Sequence, residues 1–255
     1  MKKKTVIFSD TSNDDFSSVK VRRRIVYEDF PFIHDSLAWR IIATLLYYGI
    51  AVPIAFIINK VWFGVRIENR RSVRKINRGV FMYGNHTQYF SDATCPAMIA
   101  FPHRAYVIAG AEAVSIKGIG WLVQMLGGLI LPTERNGTPK FREAVSKRIT
   151  EGARIAIYPE AHIWPYYTGI RDFSPASFLY PVSCNTPVVA YVTTYRKRIL
   201  SFLPPAITII VSEPFYPDSS LDERTSRKVL RDQVFEFMCE QTQRNEDEYI
   251  QYVRK

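Results

Sequence analysis

VFMYGNHTQYFSDATCPAMIAF, residues 80–101, is the stretch whose reading decides the fold. Val80 to Tyr83 is a short, continuous apolar run of the kind that forms a strand covered on both faces. Gly84-Asn85-His86 follows directly, then a loop from Thr87 to Ser91, and Asp92 stands at the head of a helix expected near Ala93 to Phe101. Strand ends that lead into helix starts are where α/β proteins place their sites. A histidine six residues before an aspartate is oriented by it if the loop folds back. The carboxylate then accepts from one ring nitrogen and leaves the other free to take a proton. Alone, such a pair is a weak signal, because His and Asp fall at this spacing often by chance.

The same texture continues outward from this stretch. Further strands are expected at Ala105 to Ala109, Leu129 to Leu131, Arg154 to Tyr158, Val188 to Thr193 and Ile207 to Ser212. Helices are expected near Gly118 to Leu126, Pro139 to Thr150 and Ser174 to Val182, with Pro139 suited to a first turn and Thr138 to an N-cap. A last amphipathic helix, Leu221 to Arg244, carries Leu230, Val234, Phe237 and Met238 at helical spacing. The alternation predicts an α/β fold with a mixed, mostly parallel central sheet flanked by helices.

Upstream the composition changes. Of the formal net charge of +10, +8 lies in residues 1–78, and 35 of the 255 residues are aromatic. Residues 1–24 are polar, end in Arg22-Arg23-Arg24 and read as a basic flexible tail without a secretory h-region. Residues 25–75 hold IIATLLYYGIAVPIAFII, Ile41 to Ile58, 18 residues without a charge. Gly49 and Pro53 break a continuous helix there on a local reading. Basic residues flank both ends, so the segment is expected to be a helical hairpin that dips into the membrane from the cytoplasmic face. A buried core helix is the plainer alternative, and a full membrane span is the other. Residues 76–255 then form the α/β domain. Cys95, Cys184 and Cys239 are few and widely spaced, which argues against a disulfide framework or a structural zinc site.

Three more runs accompany His86 and Asp92. Gly127-Gly128 leads through a strand to Glu134-Arg135, a guanidinium suited to phosphate. Tyr158-Pro159-Glu160-Ala161 puts a carboxylate just past another strand, and Thr186-Pro187-Val188-Val189 enters a further one. In this order the four blocks resemble the glycerophospholipid acyltransferase family, which includes the lysophosphatidic acid acyltransferases. Between the first two, Ser115 to Trp121, with Lys117, is similar to the family's K-x-P-x-x-G-W region. The resemblance spans about Arg70 to Pro214. It departs from the family in two places. Five residues, rather than the usual four, separate His86 from Asp92, as in a subgroup with some glycerol-3-phosphate acyltransferases, which leaves the acceptor open. Ala161 stands where glycine is usual, so a less tightly turned loop is expected after Glu160.

The resemblance implies transfer of a fatty acyl group from an acyl thioester, such as acyl-CoA or an acyl carrier protein thioester, to the hydroxyl of a lysophospholipid. Lysophosphatidic acid is the first choice of acceptor, and glycerol 3-phosphate or another lysolipid the alternative. It makes His86 the general base and Asp92 its orienting partner, with Arg135, Glu160, Lys117 and Gly128 binding substrate. It calls for no metal and no cofactor beyond the acyl donor, and it makes anionic membrane lipids the partner of the basic, aromatic N-terminal segment. Three other readings are weaker. For a metal-dependent hydrolase, His86, Asp92, Glu160 and His162 lack any HxH or HExxH spacing. For a nucleic-acid-binding module, no corresponding motif accompanies the basic charge. An inactive scaffold would not need His86, Asp92, Arg135 and Glu160 intact. His162 itself reads as a structural or surface residue.

Overall fold

Apolar residues 80–83 alternate strictly between two cores in the computed structural model, which describes residues 4–11, 13–16, 25–26, 28–115, 118, 120–200 and 202–255. Phe81 and Tyr83 pack on one face of the sheet and Val80 and Met82 on the other, as the two-residue period of a strand requires. In chain order the elements are β1 (Lys4–Phe8), α1 (Leu37–Leu46), α2 (Val52–Val61), β2 (Arg66–Glu68), α3 (Arg71–Arg74), β3 (Val80–Gly84), α4 (Tyr89–Ala100) and β4 (Ala105–Ala109). There follow α5 (Gly120–Met125), β5 (Gly128–Ile130), α6 (Thr138–Thr150), β6 (Arg154–Ile157), α7 (Leu179–Ser183), β7 (Val188–Arg196), β8 (Ala206–Val211), α8 (Glu223–Thr242) and β9 (Ile250–Arg254).

Seven strands form the central sheet in the order β2-β8-β7-β3-β6-β4-β5. Strands β7, β3, β6, β4 and β5 run parallel, β8 is antiparallel to β7, and β2 is parallel to β8. The sheet is therefore mixed and mostly parallel, with helices on both faces. Helices α6, α7 and α8 cover one core, through Phe141, Val145, Leu230, Val234 and Met238. Helix α4 covers the other through Cys95, Met98 and Ile99. Helix α4 begins at Tyr89, four residues before the expected start, so Asp92 lies in its first turn.

Two features of the N-terminal region differ from the sequence reading. Part of the expected loose tail is the strand β1, which pairs in parallel with β9 from the other end of the chain. The rest of that tail, residues 1–3 and 17–24 with its three arginines, lies outside the described residues. The expected hairpin is instead one helix from Leu37 to Val61, in which a single π turn, Tyr47–Ala51, joins α1 to α2.

The π turn explains why Pro53 does not break the helix. Proline has no N–H to give the carbonyl of Gly49 and its ring presses on that carbonyl. Five-residue bonding just before it, with the Val52 N–H donating to Tyr47 O, opens the turn and relieves the clash. The extra residue also keeps the buried stripe aligned: Ala43, Tyr47, Val52, Ala55 and Asn59 are buried, and the five-residue step falls in the π turn. The opposite face exposes Leu37, Ile41, Leu45, Ile50, Ile54, Ile57 and Val61. Only 22% of the most apolar stretch is buried, too little for a core helix, and the helix is long and apolar enough to cross a membrane.

This helix is fixed to α4 by one polar side chain. Asn59 is fully buried and donates to Thr94 Oγ1 at 2.8 Å and to Ala55 O. Its Oδ1 accepts from Ser91 Oγ at 2.9 Å. Tyr48 at the helix middle donates to Pro102 O, past the far end of α4, so the long helix runs antiparallel to α4. Asn59→Ala strands the buried Ser91 hydroxyl, and the protein should lose about 1–3 kcal/mol of stability. Thermal unfolding in detergent reads this directly, and an unchanged melting temperature would show that the polar contact contributes nothing.

Candidate active site

The five parallel strands end at one edge of the sheet, and the loop after β3 carries His86 there. Glycine is required just before it. A Cβ on Gly84 would come within 2.3 Å of the buried Tyr191 ring, so only glycine lets β3 pass that ring. Asn85 then clamps the strand end to β7: its Nδ2 donates to Thr193 O at 3.1 Å and its Oδ1 accepts from Thr193 N at 2.8 Å. Thr87 and Gln88 are held by Tyr195, whose hydroxyl donates to Thr87 Oγ1 at 2.8 Å and accepts from Gln88 Nε2 at 3.1 Å. Asn85, Thr87, Gln88, Thr193 and Tyr195 are all buried.

So constrained, the loop does fold back. His86 Nδ1 lies 2.8 Å from Asp92 Oδ2, and the ionised carboxylate accepts the ring N–H. The same oxygen accepts from the Gln88 N–H at 2.8 Å, so Asp92 caps its own helix while it holds the imidazole. The Asp92 side chain is 4% exposed and that of His86 24%. Burial pushes the Asp92 carboxyl above the ordinary carboxylate range, and the His86 hydrogen bond, followed by the Gln88 and Thr87 N–H groups, pulls it back. The Tyr158 ring stacks on the imidazole at 4.6 Å, and its hydroxyl donates to Asp92 O. With Nδ1 engaged, Nε2 is the ring nitrogen left to exchange a proton with a bound molecule.

Glu160 reaches the same histidine from the loop after β6, by way of the main chain. Its Oε2 accepts from the His86 backbone N–H at 3.0 Å. Arg171 occupies the rest of the carboxylate, donating through its backbone N–H to Oε1 at 2.9 Å and through Nη2 to Oε2 at 3.2 Å. Both side chains of this pair are 1% exposed. Burial raises the Glu160 carboxyl and the Arg171 charge opposes the rise. Substrate binding was expected of Glu160; in the structure both of its oxygens accept from donors of this chain. Arg171 went unnoticed in the sequence. The signal was indirect: a carboxylate this deep requires a cation.

Among the described residues, none of the contacts that hold His86 involves Gly128 or Arg135. Gly128 pairs with Val107, two residues short of the strand ends. A Cβ there would meet Val123 Cγ1 at 2.6 Å and Val123 O at 2.9 Å, so its smallness lets α5 pack on β5. Arg135 is exposed, in a 3₁₀ turn after β5. It follows the end of β5, and β5 lies three positions from β3 in the sheet. Lys117 lies outside the described residues. His162 faces Asp15 at 3.7 Å, on the surface segment that leads away from β1. Among the described residues no group of three His, Cys, Asp or Glu is placed to hold a metal ion.

Both chain ends cover the far side of the Glu160 loop. Trp164 is fully buried between Phe8, Phe16 and Tyr252, donates through Nε1 to Asp14 O at 2.7 Å, and through its backbone to His86 O at 3.0 Å. The turn after Glu160 is tight despite the missing glycine, because Ala161 itself adopts φ +64°. A left-handed conformation costs an L-residue about 1–2 kcal/mol, partly offset by glycine's larger loss of chain entropy on folding. Ala161→Gly should therefore stabilise the fold by about 0.5–1 kcal/mol. Urea unfolding would measure it, and a destabilised variant would contradict the strain.

The Acyltransferase family model matches residues 64–194, just over half of the chain and all of the segment from β3 through the Glu160 loop to Thr194. Among solved structures, the 1-acyl-sn-glycerophosphate (LPA) acyltransferase PlsC from Thermotoga maritima is similar in fold, with a TM-score of 0.55 and 19% identity. That likeness covers 83% of this chain and 96% of the other. No curated protein matches the chain.

Proposed function

This chain belongs to the acyltransferase family, and from that premise we propose that it acylates the free hydroxyl of a lysophospholipid, lysophosphatidic acid first, at a membrane surface. One observation carries the chemistry: a partly exposed imidazole whose Nδ1 is held at 2.8 Å by a buried carboxylate, at the edge where five strands end. A hydroxyl is a poor nucleophile near neutral pH and needs a base positioned beside it. His86 Nε2 takes the hydroxyl proton as the oxygen attacks the thioester carbonyl. Asp92 holds the tautomer and stabilises the imidazolium without becoming protonated. When the tetrahedral intermediate collapses, the C–S bond breaks and the imidazolium returns the proton to the leaving thiolate.

Glu160 acts on this step through the His86 main chain, keeping the ring base in register with the acceptor. Arg135, exposed in the turn after β5, is the cation proposed to hold the acceptor phosphate, with Lys117 as a second. The donor is an acyl thioester, and the chemistry draws on no resident cofactor. Membrane association is supported by the exposed apolar face of the helix 37–61, and the basic residues at its flanks favour an anionic, cytoplasmic leaflet. The five-residue interval between His86 and Asp92 keeps glycerol 3-phosphate as the second acceptor to test.

A labelled long-chain acyl thioester, offered with a panel of lysophospholipids and glycerol 3-phosphate in detergent or liposomes, tests the reading. Transfer to a phosphate-bearing acceptor is expected. His86→Ala and Asp92→Asn should each lower turnover by ~10²–10⁴-fold with little change in melting temperature. A wild-type protein inert toward every acceptor would refute the substrate class. Full activity in His86→Ala would refute the base.

A further inference from the structure

We propose that the loop between β7 and β8, residues 197–205, is a second membrane-inserting element, whose apolar tip enters the hydrocarbon of a phospholipid bilayer beside the end of the helix 37–61. The inference rests on the membrane reading above and extends it to a surface that reading did not use. The loop reads KRILSFLPP, and Ile199, Leu200 and Phe202 are 102%, 53% and 78% exposed. Three large apolar side chains on one short loop are not needed by the fold, since they touch neither core. Clustered exposure of this kind marks an interaction site.

Continuity with the apolar helix identifies the occupant. Arg198 Nη1 donates to Trp62 O at 2.8 Å, which ties the root of the loop to the last turn of the helix. Val61 and Trp62, at 72% and 53% exposed, carry the helix's apolar face up to that junction. Lys60, which donates to Val65 O, and Arg198 stand at that junction, as basic groups do where a side chain passes from headgroups into acyl chains. The acids near the loop are Glu246, Asp247 and Glu248, which share a cleft with Lys197 at the root of β7. They disfavour an anionic surface on that flank, so the tip enters with its helix side toward the lipid and its acidic flank away from it. Hydrocarbon, rather than charge alone, is then the attraction.

The position gives this loop a consequence for the reaction. β7 runs parallel to β3, and Thr193 and Tyr195 near its end hold Asn85 and Thr87 on either side of His86. Tyr89 and Phe90, also exposed, open α4 at the same edge, and Phe90 stacks on Phe63 beyond the helix end. Two apolar elements rooted at that edge set the histidine at a fixed height over the bilayer.

The test compares wild type with Ile199→Ser/Leu200→Ser/Phe202→Ser. Binding is measured by co-sedimentation with sucrose-loaded vesicles of phosphatidylcholine and phosphatidylglycerol at 3:1. All three residues are exposed, so the melting temperature should not move, and acyl transfer in detergent micelles should stay within twofold. Vesicle partitioning should fall at least tenfold, and transfer to a vesicle-borne acceptor should fall with it. A variant that partitions within twofold of wild type overturns the proposal and leaves the loop to a protein partner, while the membrane reading stands. Wild type that fails to partition overturns the membrane reading and this extension together.

Discussion

Asp92 is a carboxylate buried in a protein interior, and its environment orders much of what surrounds it. An ionised carboxyl out of water is costly unless donors surround it. Here the donors are the His86 ring and the Gln88 N–H, both on the loop that Asp92 itself closes. The loop adopts its course because that course satisfies the charge. The clamps on Asn85, Thr87 and Gln88 come from β7, and Gly84 gives β3 room to pass Tyr191. The imidazole is thereby held at its ring and at its main chain, and on the proposed function this is where a preorganised base gains over a flexible one.

A second buried carboxylate completes the arrangement from the neighbouring strand. β6 pairs directly with β3, so the loops after both strands meet. Glu160 takes the His86 main-chain N–H while Asp92 takes the side chain, and one histidine is held at both ends by acids from two loops. The cation that makes the deeper acid tolerable, Arg171, lies in the chain segment that Trp164 helps to pin. Thus the strained turn at Ala161, the Glu160–Arg171 pair and the aromatic cover by both chain ends form one support behind the site. A family model that begins at residue 64 and ends at 194 takes in the histidine, both acids and the arginine, but neither chain end.

How much of this was legible follows from the range of each interaction. Six strands of the mixed central sheet are local apolar runs, and all six were expected within a few residues of their bounds, whereas the three-residue edge strand β2 was not. The His86–Asp92 contact was also readable, because its partners are six residues apart. β1 was not: among the described residues its strand partner is β9, 246 residues away in the register, and KTVIF is too short and too exposed to announce itself. The helix 37–61 was misread as a hairpin because Gly49 and Pro53 are breakers on a local rule, whereas one π turn absorbs both. Glu160 drew attention as an acid past a strand, but only burial distinguishes an acid that meets substrate from one that meets Arg171.

The topology brings the apolar surface and the reactive edge together. Parallel strands leave all their C-terminal ends on one side, and a helix that follows such a strand must start there. α4 starts there and runs away from it, so a helix packed antiparallel on α4 must finish there. Asn59 enforces that alignment: it meets Ser91 and Thr94 in the first half of α4, whereas Tyr48 meets Pro102 past its end. The exposed apolar face of the long helix therefore terminates beside His86, and the basic, apolar β7–β8 loop extends it. On the proposed function, a lysolipid held by its tail in a bilayer under this surface would present its headgroup hydroxyl at the level of the imidazole. On the proposed reading, the polar contact at Asn59 is then part of the alignment between membrane depth and base, although it touches neither lipid nor substrate.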